Sequence, residues 1–174
     1  MPKHMFLLNK KIKIIKIDEK TLERYGEYTD WDRGVYADLV ETLNVSADKR
    51  PAVIGFDVLF ASERNAETDN RFAEVCGEYG NVVCGFNYVF TKKIVSDENG
   101  NLSVNNLYVS DTVTPYKALA DNVTQGFVTA LLNETDGIIR EAFIYFEEDD
   151  GTKKQGFSTA IYEKYTEFCE KEPV

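Results

Sequence analysis

"AVIGFDVLF", residues 52–60, sets eight apolar or glycine residues around a single carboxylate, Asp57. A run that is apolar on both faces reads as a central parallel strand covered by helices above and below, and the flanking sequence supplies those helices. Before it, "DRGVYADLVETL" places Tyr36, Leu39, Val40 and Leu43 at i, i+3, i+4 and i+7, the stripe of a helix lying on a sheet. After it, Phe72, Val75, Cys76 and Tyr79 repeat that spacing, with Thr68 as expected N-cap, Asp69 in the first turn and Gly80 as stop.

Working outward, residues 12–17 ("IKIIKI") read as a strand before the first helix, and "NVVCGFNYVF" as a strand after the second. The first half therefore reads strand, helix, strand, helix, strand: a parallel βαβαβ pattern built by crossovers. The second half changes character. "ENGN" is turn chemistry between two β-branched runs, which predicts a hairpin insertion around residues 90–113. A short helix at "PYKALA" follows, then strands at "QGFVTALL" and "IIREAFIYF" separated by the turn "NETDG". The turn "EDDG" leads to a final helix with Ile161, Tyr165 and Phe168 along one side. The expectation is a single α/β domain over residues 11–174: a mixed sheet, a parallel first half, antiparallel additions, and helices on the faces. Residues 1–10 read as a leader or tether remnant, and both ends look cut from something longer.

Composition limits the functions available. With 174 residues and 43% apolar content the chain can build one sizeable core. Thirty acids against twenty bases give a net charge of −10, which opposes docking on nucleic acid or on an anionic membrane surface. Apolar runs of about five residues fall far short of the ~20 needed to cross a bilayer. Cys76, Cys84 and Cys169 lack CxxC spacing and read as free thiols, with a Cys76 to Cys84 bridge left open. His4, in the leader, is the only histidine, which removes histidine triads and HExxH zinc sites. No GxGxxG or GxxxxGK[ST] loop occurs.

The acids at strand ends carry the remaining chemistry. In open α/β sheets ligands collect outside the carboxyl ends of parallel strands. Asp18 closes the first run, Asp57 lies within or near the end of the second, and Asp69 starts the following helix. Converging there, they could share a divalent cation. Taken singly, each is also an ordinary cap, acceptor or dipole partner. "DWDR" adds Trp31 and Arg33 on the same edge, as ligand contacts or as a loop staple. Asp136 and Arg140 in "TDGIIR" are secondary candidates, Arg140 either pairing with one of the buried acids, such as Asp57, or pointing to solvent.

Taken in order, "IIKIDEKTL", "WDR" before a helix, "VIGFDVLF", "TDNRFAEV", "GNVVCGF", "QGFVTALLNETDGIIREAFIYF" and "GFSTAIYEKY" resemble the second type of CHASE domain, the cyclase and histidine-kinase associated sensory extracellular domain. The family's tryptophan–proline–tryptophan element is reduced here to "DWDR". The resemblance implies a sensor on the extracytoplasmic side of a bacterial cell membrane. Its partners would be its own transmembrane helices, a cytoplasmic output domain such as a nucleotide cyclase or histidine kinase, and a second copy in a homodimer. The expected function is to bind a small ligand or ion and control that output, through a site lined by Asp18, Trp31, Arg33, Asp57 and Asp69, with no catalysis by the domain itself. Two other readings fit the same residues. One is a carboxylate-dependent metal hydrolase built on the three acids, and the other is a dimerisation module that binds no ligand.

Overall fold

A computed structural model describes residues 12–100, 102–130, 136–140 and 142–171. The expected leader at residues 1–10 and most of the "NETDG" turn lie outside them. The chain forms two compact units, Met1–Trp31 and Asp32–Val174.

In the first unit, residues 12–17 belong to no helix or strand, and Ile12, Ile14 and Ile15 are exposed. The expected opening strand is thus not formed among the described residues. Strand propensity is a preference for a half-buried pleated surface, and a β-branched run without a neighbouring strand has no ladder to join. Helix α1, Glu19–Tyr25, starts because the Asp18 carboxylate accepts hydrogen bonds from the Thr21 amide at 3.1 Å and the Thr21 hydroxyl at 2.9 Å. It stops at Gly26, whose φ of 78° suits a residue without a side chain.

The second unit has the mixed α/β architecture expected. Its elements run α2 (Gly34–Asn44), β1 (Ile54–Phe56), α3 (Ala66–Tyr79), β2 (Val82–Ser96), β3 (Leu102–Val113), α4 (Lys117–Ala120), β4 (Thr124–Phe127), β5 (Tyr145–Glu147), β6 (Lys153–Gln155) and α5 (Phe157–Lys171). Strand β2 organises the sheet. Its first residues pair in parallel with β1 (Ile54 with Val82) and with β4 (Val83 with Thr124). Its remainder pairs antiparallel with β3, from Asn87 with Val113 to Ser96 with Leu102. That is the predicted hairpin, turned at Asp97 to Gly100, where the Gly100 amide donates to the Asp97 carbonyl at 3.0 Å. β5 and β6 form a second, separate hairpin.

Alternation along β1 places helices on both faces. Phe56 packs its ring against Tyr36 of α2 at 6.0 Å and Phe72 of α3 at 5.8 Å, and Phe60 completes this cluster. On the opposite face, a side chain at Gly55 would collide with Ile161 and Phe157 of α5, so the helix rests directly on the strand. The buried stripe of α2 is Tyr36, Ala37, Val40 and Asn44, turned slightly from the predicted one, with Leu39 and Leu43 half-buried. The N-cap of α3 is Asn65 rather than Thr68: its side chain accepts from the amides of Glu67 and Thr68. A second aromatic cluster, Phe86, Tyr88 and Phe127 with Phe90 and Phe146, joins β2 and β4 to the second hairpin.

Candidate functional site

Arg33 and Asp69, far apart in sequence, meet in the interior. Arg33 immediately precedes α2 and is 3% exposed, and Asp69 in the first turn of α3 is 1% exposed. Arg33 Nε lies 3.8 Å from Asp69 Oδ1, an ion pair without a hydrogen bond between those atoms. The rest of each group is engaged. Asp69 Oδ2 accepts the backbone amides of Arg64 at 2.6 Å and Asn65 at 3.0 Å, and Arg33 Nη2 donates to the Ser62 carbonyl at 3.4 Å. The guanidinium stands 4.7 Å from the centre of the Phe60 ring, a cation–π contact strengthened by the dry surroundings. Burial lowers the Arg33 pKa, the Arg64 charge adds to that, and Asp69 opposes it. A guanidinium stays protonated regardless.

Two residues that sequence reasoning passed over complete this junction. Asp32 accepts the Gly34 amide at 2.7 Å and the Thr68 hydroxyl at 2.9 Å, tying the start of α2 to the start of α3. Tyr116 donates its hydroxyl to the Asp69 carbonyl at 2.8 Å, and its amide donates to the Phe60 carbonyl at 2.8 Å. Burial and the Asp69 charge push the Tyr116 hydroxyl pKa up. The aspartate two residues before a helix-starting glycine was the available signal for Asp32. Tyr116 left none.

Of the other expected site residues, Asp18 and Trp31 belong to the first unit, and Asp57, Asp136 and Arg140 to the second. Asp18 caps α1 in the first unit, with Lys16 Nζ at 3.6 Å. Trp31, also in the first unit, donates its indole N–H to the carbonyls of Tyr25 and Gly26 at 3.1 and 3.0 Å, so within that unit it acts as a staple. Asp57 directly follows β1, is exposed, and has no hydrogen bond or ion pair among the described residues. Arg140 pairs not with Asp57 but with Asp136, bidentately at 2.9 and 2.6 Å and in solvent. A partner four residues away costs far less chain ordering than a distant one. Among the described residues no three of His, Cys, Asp or Glu gather closely enough to hold a metal ion. Within the second unit the Asp69 carboxylate has taken an arginine and two backbone amides as partners, while Asp57 is exposed. Cys76, Cys84 and Cys169 are free thiols.

A polar cleft of about 480 Å³ opens elsewhere, between β4 and the β5–β6 hairpin. Phe86 and Gln125 line it from the sheet, Tyr145, Lys154 and Gln155 from the hairpin, and Glu163 from α5. None of the residues singled out from the sequence borders it. Its walls combine side chains from β2, β3, β4, the second hairpin and α5, a meeting of distant segments that no local pattern announces.

The fold is that of a mixed α/β domain with its sheet covered by helices on both faces. Compared with known families, residues 3–173 match the CHASE2 domain, and the chain belongs to the CHASE2 family. CHASE2 domains are extracellular sensory domains of signalling proteins, a sensory family and not a catalytic one. No curated protein and no solved structure matches the chain. Among the described residues no helix is long and apolar enough to cross a membrane.

Proposed function

We propose that this domain is the signal-input module of a bacterial membrane-bound signalling protein. It stands outside the cytoplasmic membrane, binds a small ligand or ion, and biases an intracellular output such as a nucleotide cyclase or kinase. The family match over residues 3–173 carries this reading. The cleft supports the ligand-binding part, because its volume of about 480 Å³ falls in the range of roughly 300 to 1,000 Å³ usual for small-molecule sites. A sensor works by holding two conformations whose balance the ligand shifts, and the network around Arg33 and Asp69 gives such a domain stiff internal struts.

The test uses the whole parent protein in its membrane. A cysteine placed at the exposed tip of the long hairpin, Glu98→Cys, is expected to react in intact cells with a membrane-impermeant maleimide. Deleting the domain is expected to change the output activity measured in vesicles. Labelling only after lysis, or an output indifferent to the deletion, would overturn the proposal.

A further inference from the structure

We infer that the cleft between β4 and the second hairpin is the ligand site, and that it takes a small zwitterion of the amino-acid class, with a carboxylate at one end and an ammonium at the other. The inference rests on the sensor reading above and adds to it a site and a ligand chemistry.

The cleft exists because β6 and β4 touch at the bridge between Phe127 and Gly156, while the long edge of β4 is turned to β2. The hairpin is held to the sheet there and by Phe146, whose ring packs 4.8 Å from that of Tyr88, and polar side chains of the sheet, the hairpin and α5 line the space beside these contacts. Its acids are already oriented. Glu148 accepts the Tyr88 hydroxyl at 2.8 Å, and Glu163 accepts the Tyr145 hydroxyl at 3.0 Å. The Gln155 amide nitrogen, in the orientation that satisfies both groups, donates to Glu163 as well. A carboxylate offers about four lone-pair positions, so both keep acceptor capacity for a donor inside the cleft. The Glu148 contact, after burial, raises the Tyr88 hydroxyl pKa, so the tyrosine stays a donor.

The basic side is less committed. Lys153 is 3.7 Å from Glu147. Lys154, whose charge helps hold the Asp150 carboxyl below its ordinary pKa, makes no hydrogen bond or ion pair among the described residues. Its ammonium offers three donors, and the side chains of Thr112 and Thr114 border the same space. A carboxylate satisfies these donors, and an ammonium satisfies the two glutamates. A plain anion would face those glutamates in a chain of net charge −10, and a plain cation would face the lysines, whereas a neutral zwitterion meets neither penalty. Phe86 supplies an apolar wall for the ligand's carbon skeleton.

The experiment titrates the purified chain with L-alanine, L-leucine and L-glutamate, and with acetate and methylamine as half-ligands, by calorimetry and thermal melting. At least one amino acid is expected to bind and, at about 100 times its Kd, to raise Tm by roughly 5 °C or more. The half-ligands at the same concentrations are expected to do nothing measurable. Lys154→Ala and Glu163→Gln should each weaken binding about 10-fold or more, the usual loss for one charge-assisted hydrogen bond, while Glu170→Gln leaves it unchanged. Circular dichroism melts show whether each variant is folded.

No binding by any of the three amino acids, or equal binding of acetate, would overturn the ligand class. Binding that persists unweakened in both cleft variants would overturn the site. Neither result touches the sensor proposal, which is decided by labelling and output of the parent protein. Binding in the cleft with an output that ignores the domain would do the reverse.

Discussion

A guanidinium and a carboxylate face each other in the interior: Arg33 and Asp69 are 3% and 1% exposed, and the guanidinium stands over the Phe60 ring. Removing one partner leaves the other as an uncompensated buried charge, at a cost of about 3 to 5 kcal/mol. Asp69→Asn is therefore expected to lower unfolding stability by about that much in urea titrations. The double change Arg33→Met with Asp69→Leu should cost less than the sum of the single ones, because it deletes both charges at once. A loss below about 1 kcal/mol for Asp69→Asn would show that the pair is not a strut. The exposed pair behaves differently. Hydrogen bonding from Arg140 holds the Asp136 carboxyl below its ordinary pKa. A depressed carboxylate stabilises the folded arrangement above its unfolded pKa and loses that contribution as pH falls through the folded value. Arg140→Gln should return the Asp136 titration, followed by carboxyl-carbon NMR, to the ordinary range, and an unmoved midpoint would discard the pairing. At this scale the sequence made Asp69 visible as a first-turn acid, but left Arg33 between ligand contact and staple. Nothing local distinguishes an arginine that turns inward to an aspartate 36 positions away.

Helices were the most legible elements because a 3.6-residue period survives in the sequence whatever they pack against. α2, α3 and α5 all lie where the spacing puts them. Strand limits were not legible, since apolarity marks burial and not pairing. The run at residues 52–60 pairs only over Ile54–Phe56. Phe60, equally apolar and fully buried, belongs to the loop, where its carbonyl accepts the Tyr116 amide. The contact between α5 and the sheet rests on glycine. A Cβ at Gly126 would stand 2.6 Å from the Phe157 Cα, a backbone atom that cannot step aside alone. Gly126→Ala is expected to cost about 1 to 3 kcal/mol in urea unfolding, the usual toll of overpacking. Gly77→Ala, within α3, would press on the flexible side chain of Asn122 and gain up to about 1 kcal/mol in helix propensity. It should come out near neutral, and equal losses at the two positions would refute the backbone-contact argument.

Over the whole molecule the thiols report how the core is closed. Burial pushes the Cys76 thiol up to about 12 and raises Cys84 further from reactivity, whereas Cys169 is only half-buried. Only the thiolate is the nucleophile. In a thiol titration at pH 8 Cys169 is expected to react first, with Cys76 and Cys84 following only as the chain unfolds in urea. Prompt reaction of all three would mean that the core around α3 and β2 opens without unfolding. The mixed sheet and the family were readable in the order of the motifs along the chain. The cleft was not, because it is a gap between segments, and a gap has no residue of its own to leave a pattern.

Strand β2 belongs to two structures at once. Its first residues are the middle of the parallel sheet, and residues 87–96 are one rail of the long hairpin. At about 3.3 Å per residue those ten residues reach roughly 30 Å, with no turn between the core and the hairpin's far end. The two register shifts, at Val89/Phe90 and Thr91/Lys93, are the points where such a rail bends most readily. A sideways load at the tip therefore acts on the sheet centre with the mechanical advantage of a lever, and its fulcrum lies beside Tyr88, one residue from the first bulge and in contact with the aromatic cluster.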